Sequence, residues 1–157
     1  MKHFEAITEP ADNNFAIGNK LLSEASLGSP KETESNLRQL THVARTQPEL
    51  MYKSIMQLQE LIADTNDDPK TQGRAFLNLA KCFIGVAGNK IDQDPEGARM
   101  VLYGTPQGRA SRDHNGKARG YDGAIDALKA ASKRLPRDSN VSNCEDMLVL
   151  LARRLQQ

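Results

Sequence analysis

A chain of 157 residues is long enough to bury a core without disulfides or a structural metal, and one domain is the expectation at this length. Its 21 Lys and Arg against 20 Asp and Glu leave no overall basic field for nucleic acid and no acidic field for cationic partners. Aromatic residues are only 4% of the chain and tryptophan is absent, so the core is expected to be aliphatic.

Along the chain, residues 1–11 carry no periodic pattern and are expected to be disordered, and a weak helical segment follows from about Asp12 to Leu27. Ser29-Pro30 with Glu32 is a capping box with proline at the first helical position, and Thr46 with Glu49 repeats the box. The helices that start there carry apolar stripes, Leu37, Leu40, Thr41 and Ala44 in one, Met51, Ile55, Leu58 and Ile62 in the next. Asp68-Pro69 opens a third helix with the cleanest stripe of all, Phe76, Leu79, Ala80, Phe83, Ile84 and Ala87, and Gly88-Asn89 is its expected stop. Asp94-Pro95 opens a short one.

Gly104 to Gly120 is a 17-residue segment without periodicity, holding four glycines, Pro106, and Arg109, Arg112, Lys117 and Arg119 against the single acid Asp113. A loop this long inside a compact helical domain is either functional or disordered. Ala124, Ile125, Leu128, Ala131 and Leu135 then form another stripe. Ser142 with Glu145 reads as a third box ahead of Cys144, Met147, Leu148, Leu151 and Leu155. Strand-type alternation is absent over any useful length. The expectation is an all-α single domain over residues 1–157, about seven helices in a bundle or short right-handed helical solenoid, with one long basic Gly-rich loop at 104–120. Phe76, Leu79, Phe83, Ile125, Leu128, Leu148 and Leu151 are the expected core.

The stretch Gly120-Tyr121-Asp122-Gly123-Ala124-Ile125, continuing through Leu128 and Ala131 to Pro136, resembles the second helix of a tetratricopeptide repeat. Phe76, Leu79, Ala80 and Phe83 resemble the first helix of such a repeat, where a small residue lets paired helices approach closely. The two pieces cover about 30 residues and do not adjoin, so the regular 34-residue period of the family is not present. The resemblance implies a groove that binds a peptide or helix of a partner protein.

Chemical motifs are sparse. Asn89-Lys90-Ile91-Asp92 resembles the guanine-recognition motif of GTPases, but no phosphate loop accompanies it and its context is helical. Asp64, Asn66 and Asp68, and likewise Asp92, Asp94 and Glu96, carry the early spacing of a calcium loop; Pro69 and Ala75 break the first and Tyr103 ends the second. Acidic helix caps account for both. His3, His42 and His114 have no partner at metal spacing, so no metal site and no cofactor is expected. Cys82 and Cys144 lie within apolar faces and read as reduced core thiols.

No catalytic residue stands out. The candidate binding residues are those of the loop and its exit, Arg109, Arg112, His114, Lys117, Arg119 and Tyr121, a set that suits an acidic protein partner or, as the alternative, phosphate or nucleic acid. With only Tyr121 as an aromatic platform, base stacking is weakly supported. The reading is a non-enzymatic protein-protein interaction module of the bacterial adaptor, chaperone or secreted-effector kind that binds a partner peptide or helix in a helical groove; an enzyme whose site only the fold reveals is the further alternative. Met1 to Pro10 lack the apolar run of a signal peptide, and no run of about 18 apolar residues occurs. A cytoplasmic protein is therefore expected, with secretion as an effector through a polar N-terminal signal left open.

Overall fold

The computed structural model describes Lys20 and residues 28–43, 48–104 and 123–156. Among them are six helices and no strand: α1 Pro30–Val43, α2 Pro48–Asp64, α3 Pro69–Lys90, α4 Pro95–Tyr103, α5 Ala124–Arg134 and α6 Ser139–Gln156. The expected all-α architecture is what forms. The weak segment over 12–27 falls outside the described residues except for Lys20, which is helical.

The starts follow from the caps. Glu32 N–H donates to Ser29 Oγ at 3.3 Å while Ser29 N–H donates to Glu32 Oε1 at 3.2 Å, so two orphan amides are satisfied reciprocally. Asp68 accepts from Thr71 N–H at 3.2 Å and Asp94 from Gly97 N–H at 3.0 Å, each just ahead of a proline whose missing N–H costs nothing there. These bonds hold the Asp68 carboxyl below its ordinary range, Thr71 being the largest cause. Both of the apparent calcium loops thus contribute helix caps.

Two boundaries differ from expectation. Helix α6 begins at Ser139 rather than after Ser142, because Asp138 accepts from Asn140 N–H at 2.8 Å and takes the capping role four residues earlier. Helix α3 runs through Gly88 and Asn89 to Lys90, because Asn89 and Lys90 keep helical backbone and the chain turns only at Ile91.

Helix α3 is the hub, packing against all five of the others. It is buried around most of its circumference, from Thr71 to Ala87, with Phe76, Leu79, Ala80 and Cys82 fully enclosed. Helices α1 and α2 cover one flank, α5 and α6 the other, and α4 closes one end. The closest approach is at Gly73, where a Cβ would stand 2.8 Å from Arg134 Cβ and 2.9 Å from Leu135 Cγ; only glycine lets the end of α5 lie this near α3.

A polar tie locks the same corner. Gln72 Nε2 donates to Ile62 O at 2.8 Å and to Asn66 Oδ1 at 3.0 Å, and Gln72 Oε1 accepts from Arg134 Nε at 2.8 Å. The Arg134 guanidinium also lies 4.7 Å from the centre of the Phe76 ring, a cation–π contact. One side chain of α3 therefore fastens the end of α2 to the end of α5. Of the expected core, Phe76, Leu79, Phe83, Leu128 and Leu151 are buried; Ile125 and Leu148 are only half-buried.

Candidate functional site

The two expected core residues that stay half-exposed stand together. Ile125 and Leu128 of α5 and Leu148 and Val149 of α6 line a groove of about 590 Å³ between the two helices. Helical spacing explains the arrangement: Ile125, Leu128, Lys129, Ser132 and Lys133 fall within two turns of one side of α5, and Glu145, Leu148 and Val149 within one turn of α6. Leu151, Cys144 and Val141 turn α6 toward the core, which leaves Val149 48% exposed at the groove. Lys129 and Lys133 rise from the α5 wall and Glu145 from the α6 wall, so the apolar floor has a basic rim and an acidic rim. On its remaining flank α6 exposes Met147 at 48% and Leu150 at 54%, much more apolar surface than a solvated helix presents.

A second, more polar cleft of about 450 Å³ lies between α1 and α3, with Met51 of α2 at its edge. Arg38, Thr41 and His42 come from α1, and Asn78, Lys81, Gly85 and Asn89 from α3. Behind it, Thr41 Oγ1 donates to Leu37 O at 2.8 Å and lies 3.3 Å from Ser54 Oγ and 3.5 Å from Cys82 Sγ.

The thiols are not poised for chemistry. Burial pushes Cys82 up to about 11, outweighing the hydrogen bonds from Thr41 and Ser54, and burial likewise raises Cys144. Each is a neutral thiol at neutral pH, and the thiolate is the nucleophile. Both cysteines are free and buried, as their apolar context indicated. Among the described residues no group of three or more His, Cys, Asp or Glu converges as a metal site would require, and no helix is long and apolar enough to cross a membrane.

The residues singled out from sequence, Arg109, Arg112, His114, Lys117, Arg119 and Tyr121, lie outside the described residues. The structure does fix where their segment leaves and returns. A Cβ on Gly123 would stand 2.6 Å from Gly104 N and 2.8 Å from Leu102 O, so the two ends meet in backbone contact. Gly104 adopts a φ of 86°, in the region that favours glycine, where it ends α4. Residues 105–122 are therefore an excursion from a single point at the head of α5.

The sequence reading missed both the groove and the cleft. The groove's signal was present as Ile125 and Leu148, which were assigned to the core because an apolar stripe does not state how wide its cover is. Comparison with protein-family models, with curated proteins and with solved structures finds no match to this chain.

Proposed function

We propose that the chain is a non-enzymatic protein-interaction module, of the adaptor, chaperone or effector kind, whose α5–α6 groove takes an amphipathic helix of a partner protein. The observation that supports this reading best is the apolar groove along two adjacent helices, where half-buried Ile125 and Leu148 and exposed Val149 stand over buried Leu128. A helix laid in such a groove buries one stripe at i, i+3/i+4 and i+7, the standard helix-in-groove mode. The rims specify its flanks: acidic residues toward Lys129 and Lys133, a basic residue toward Glu145. The basic excursion at 105–122 re-enters at Gly123, two residues before Ile125, and its composition suits the same acidic flank.

The test compares wild type with Val149→Glu and with Lys129→Glu/Lys133→Glu, all exposed positions, in affinity capture followed by titration of the purified partner. Helical circular dichroism and melting temperature should be unchanged. Binding should fall at least about tenfold in each variant, and the backbone resonances of Ile125 to Lys133 should shift on binding of wild type. A partner that binds both variants as tightly as wild type would refute the groove.

A further inference from the structure

The cleft between α1 and α3 is built unlike the rest of the surface. The whole chain is nearly neutral, yet of the eight described residues lining this cleft two are cationic, Arg38 and Lys81, a third is His42, and none is acidic. The spacing that produces it is helical: Arg38 and His42 are one turn apart on α1, and Asn78, Lys81, Gly85 and Asn89 descend one face of α3. The two helices thus bring positive charge, amide groups and a ring nitrogen to one concavity, with the single carboxylate on their facing rows, Glu34, buried behind it.

The nearest buried carboxylate balances one of these charges and leaves Lys81 without a partner acid among the described residues. Glu34, almost wholly enclosed beside the cleft, accepts from Asn78 Nδ2 at 3.1 Å and lies 3.7 Å from Arg38 Nε. It therefore engages the inner edge of Arg38 and fixes the guanidinium in place. Two nitrogens of the fork remain, since Nε alone faces Glu34. Lys81 has no carboxylate within ion-pair distance among the described residues, and the residue is half-buried at the cleft. An ammonium without a counter-ion at the edge of a concavity gains from an anion that enters.

We propose that this cleft binds a small organic anion, its carboxylate or phosphate group held between Lys81 and Arg38 with Asn89 as a further donor, and a short apolar part against Met51 and Gly85. The volume, about 450 Å³, lies within the range of small-molecule sites. The site is separate from the α5–α6 groove and does not depend on that groove's function: its walls come from α1, α2 and α3 only.

Citrate and inorganic phosphate are the probes, titrated separately into the full chain and followed by amide and side-chain resonances and by melting temperature. At least one should bind with a Kd below about 1 mM and shift the side-chain amide signals of Asn78 and Asn89; which of the two binds tells whether the group is a carboxylate or a phosphate. Lys81→Gln should weaken binding about tenfold and Arg38→Gln similarly, while Lys129→Gln, in the other groove, should not. Raising salt from about 0.05 to about 0.5 M should weaken it further. If Arg38→Gln loses its fold because Glu34 is left with Asn78 alone, Lys81→Gln still decides. The proposal is overturned if neither probe binds at about 10 mM, if binding is indifferent to Lys81→Gln, or if only an oligoglutamate peptide binds, which would make the cleft a contact for an acidic protein.

Discussion

Cutting the tie between Gln72 and Arg134 should loosen the corner where α2, α3 and α5 meet, by an amount that a double-mutant cycle isolates. Gln72→Ala removes one charge-assisted bond, from Arg134 Nε at 2.8 Å, and two neutral donations, to Ile62 O and Asn66 Oδ1. The charged bond contributes about 1.5 to 3 kcal/mol and a neutral one about 0.5 to 1.5. The neutral pair belongs at the low end, because Ile62 O also accepts from Thr65 Oγ1 at 3.4 Å and Asn66 is exposed and recovers water. The sum for Gln72→Ala is about 2 to 4 kcal/mol, a large part of the 5 to 15 that holds an ordinary domain together. Arg134→Ala loses the same charged bond, its donation to Ala130 O at 3.0 Å and its contact to the Phe76 ring, about 2 to 4 kcal/mol. Only the shared bond is counted twice, so the double variant should be more stable than the sum of the singles implies by about 1.5 kcal/mol. Urea unfolding with an unchanged slope measures each corner of the cycle. A coupling below about 0.5 kcal/mol would mean that the two side chains act independently, and the tie as described would be wrong.

Two further outcomes follow from the core. Burial raises the Cys82 thiol from 9.0 to about 11, so below pH 9 both folded and unfolded states keep the proton and the shift has no effect on stability. Between those values only the unfolded state ionises, and stability should fall by up to about 1.4 kcal/mol per pH unit from this group. The gap between wild type and Cys82→Ala should therefore narrow as pH rises from 9 toward 11, measured by urea unfolding across that window; parallel pH profiles would contradict the burial. Gly73 and Gly88 lie in the same helix, yet alanine should act on them with opposite sign. A Cβ on Gly88 meets nothing within 4 Å and should gain about 0.5 to 1 kcal/mol of helix propensity, whereas one on Gly73 would collide with Arg134 and Leu135 and should cost about 1 to 3 kcal/mol net. If both substitutions raise the melting temperature, the α3–α5 crossing is wider than described.

The helices were legible because local signals agree with one another. Ser29 with Glu32, Asp68-Pro69 and Asp94-Pro95 each state a start, and a stripe of apolar residues follows each. Where two capping signals compete, as Asp138 and Ser142 do, sequence gives no ranking; in the structure Asp138 wins and α6 gains four residues. The pairing of helices was less accessible. Gly73 marks a close approach only once Arg134 is known to oppose it, and Gln72 is an ordinary polar residue until Ile62, Asn66 and Arg134 surround it. The candidate sites were the least legible of all, since each is a relation between two helices distant in sequence. Arg38 and Lys81 are 43 positions apart and each reads alone as a solvated surface charge.

The meeting of Gly104 and Gly123 bears on how the basic segment and the α5–α6 groove relate. Because Gly104 and Gly123 stand in backbone contact, the end of α4 and the start of α5 are already together without residues 105–122. The excursion is therefore not needed to connect the two helices, and its Arg109, Arg112, Lys117 and Arg119 are not explained by chain connectivity. Beyond Gly123 the same charge continues on α5, where Lys129 and Lys133 stand one and two turns past Ile125 along the groove. An acidic flank on a helix seated there would meet Lys129 and Lys133 directly and would approach the point from which the basic segment extends. For the partner helix proposed above, the positive rim of Lys129 and Lys133 would raise the rate at which an acidic flank arrives, and the apolar lining of Ile125, Leu128, Leu148 and Val149 would govern how long it stays.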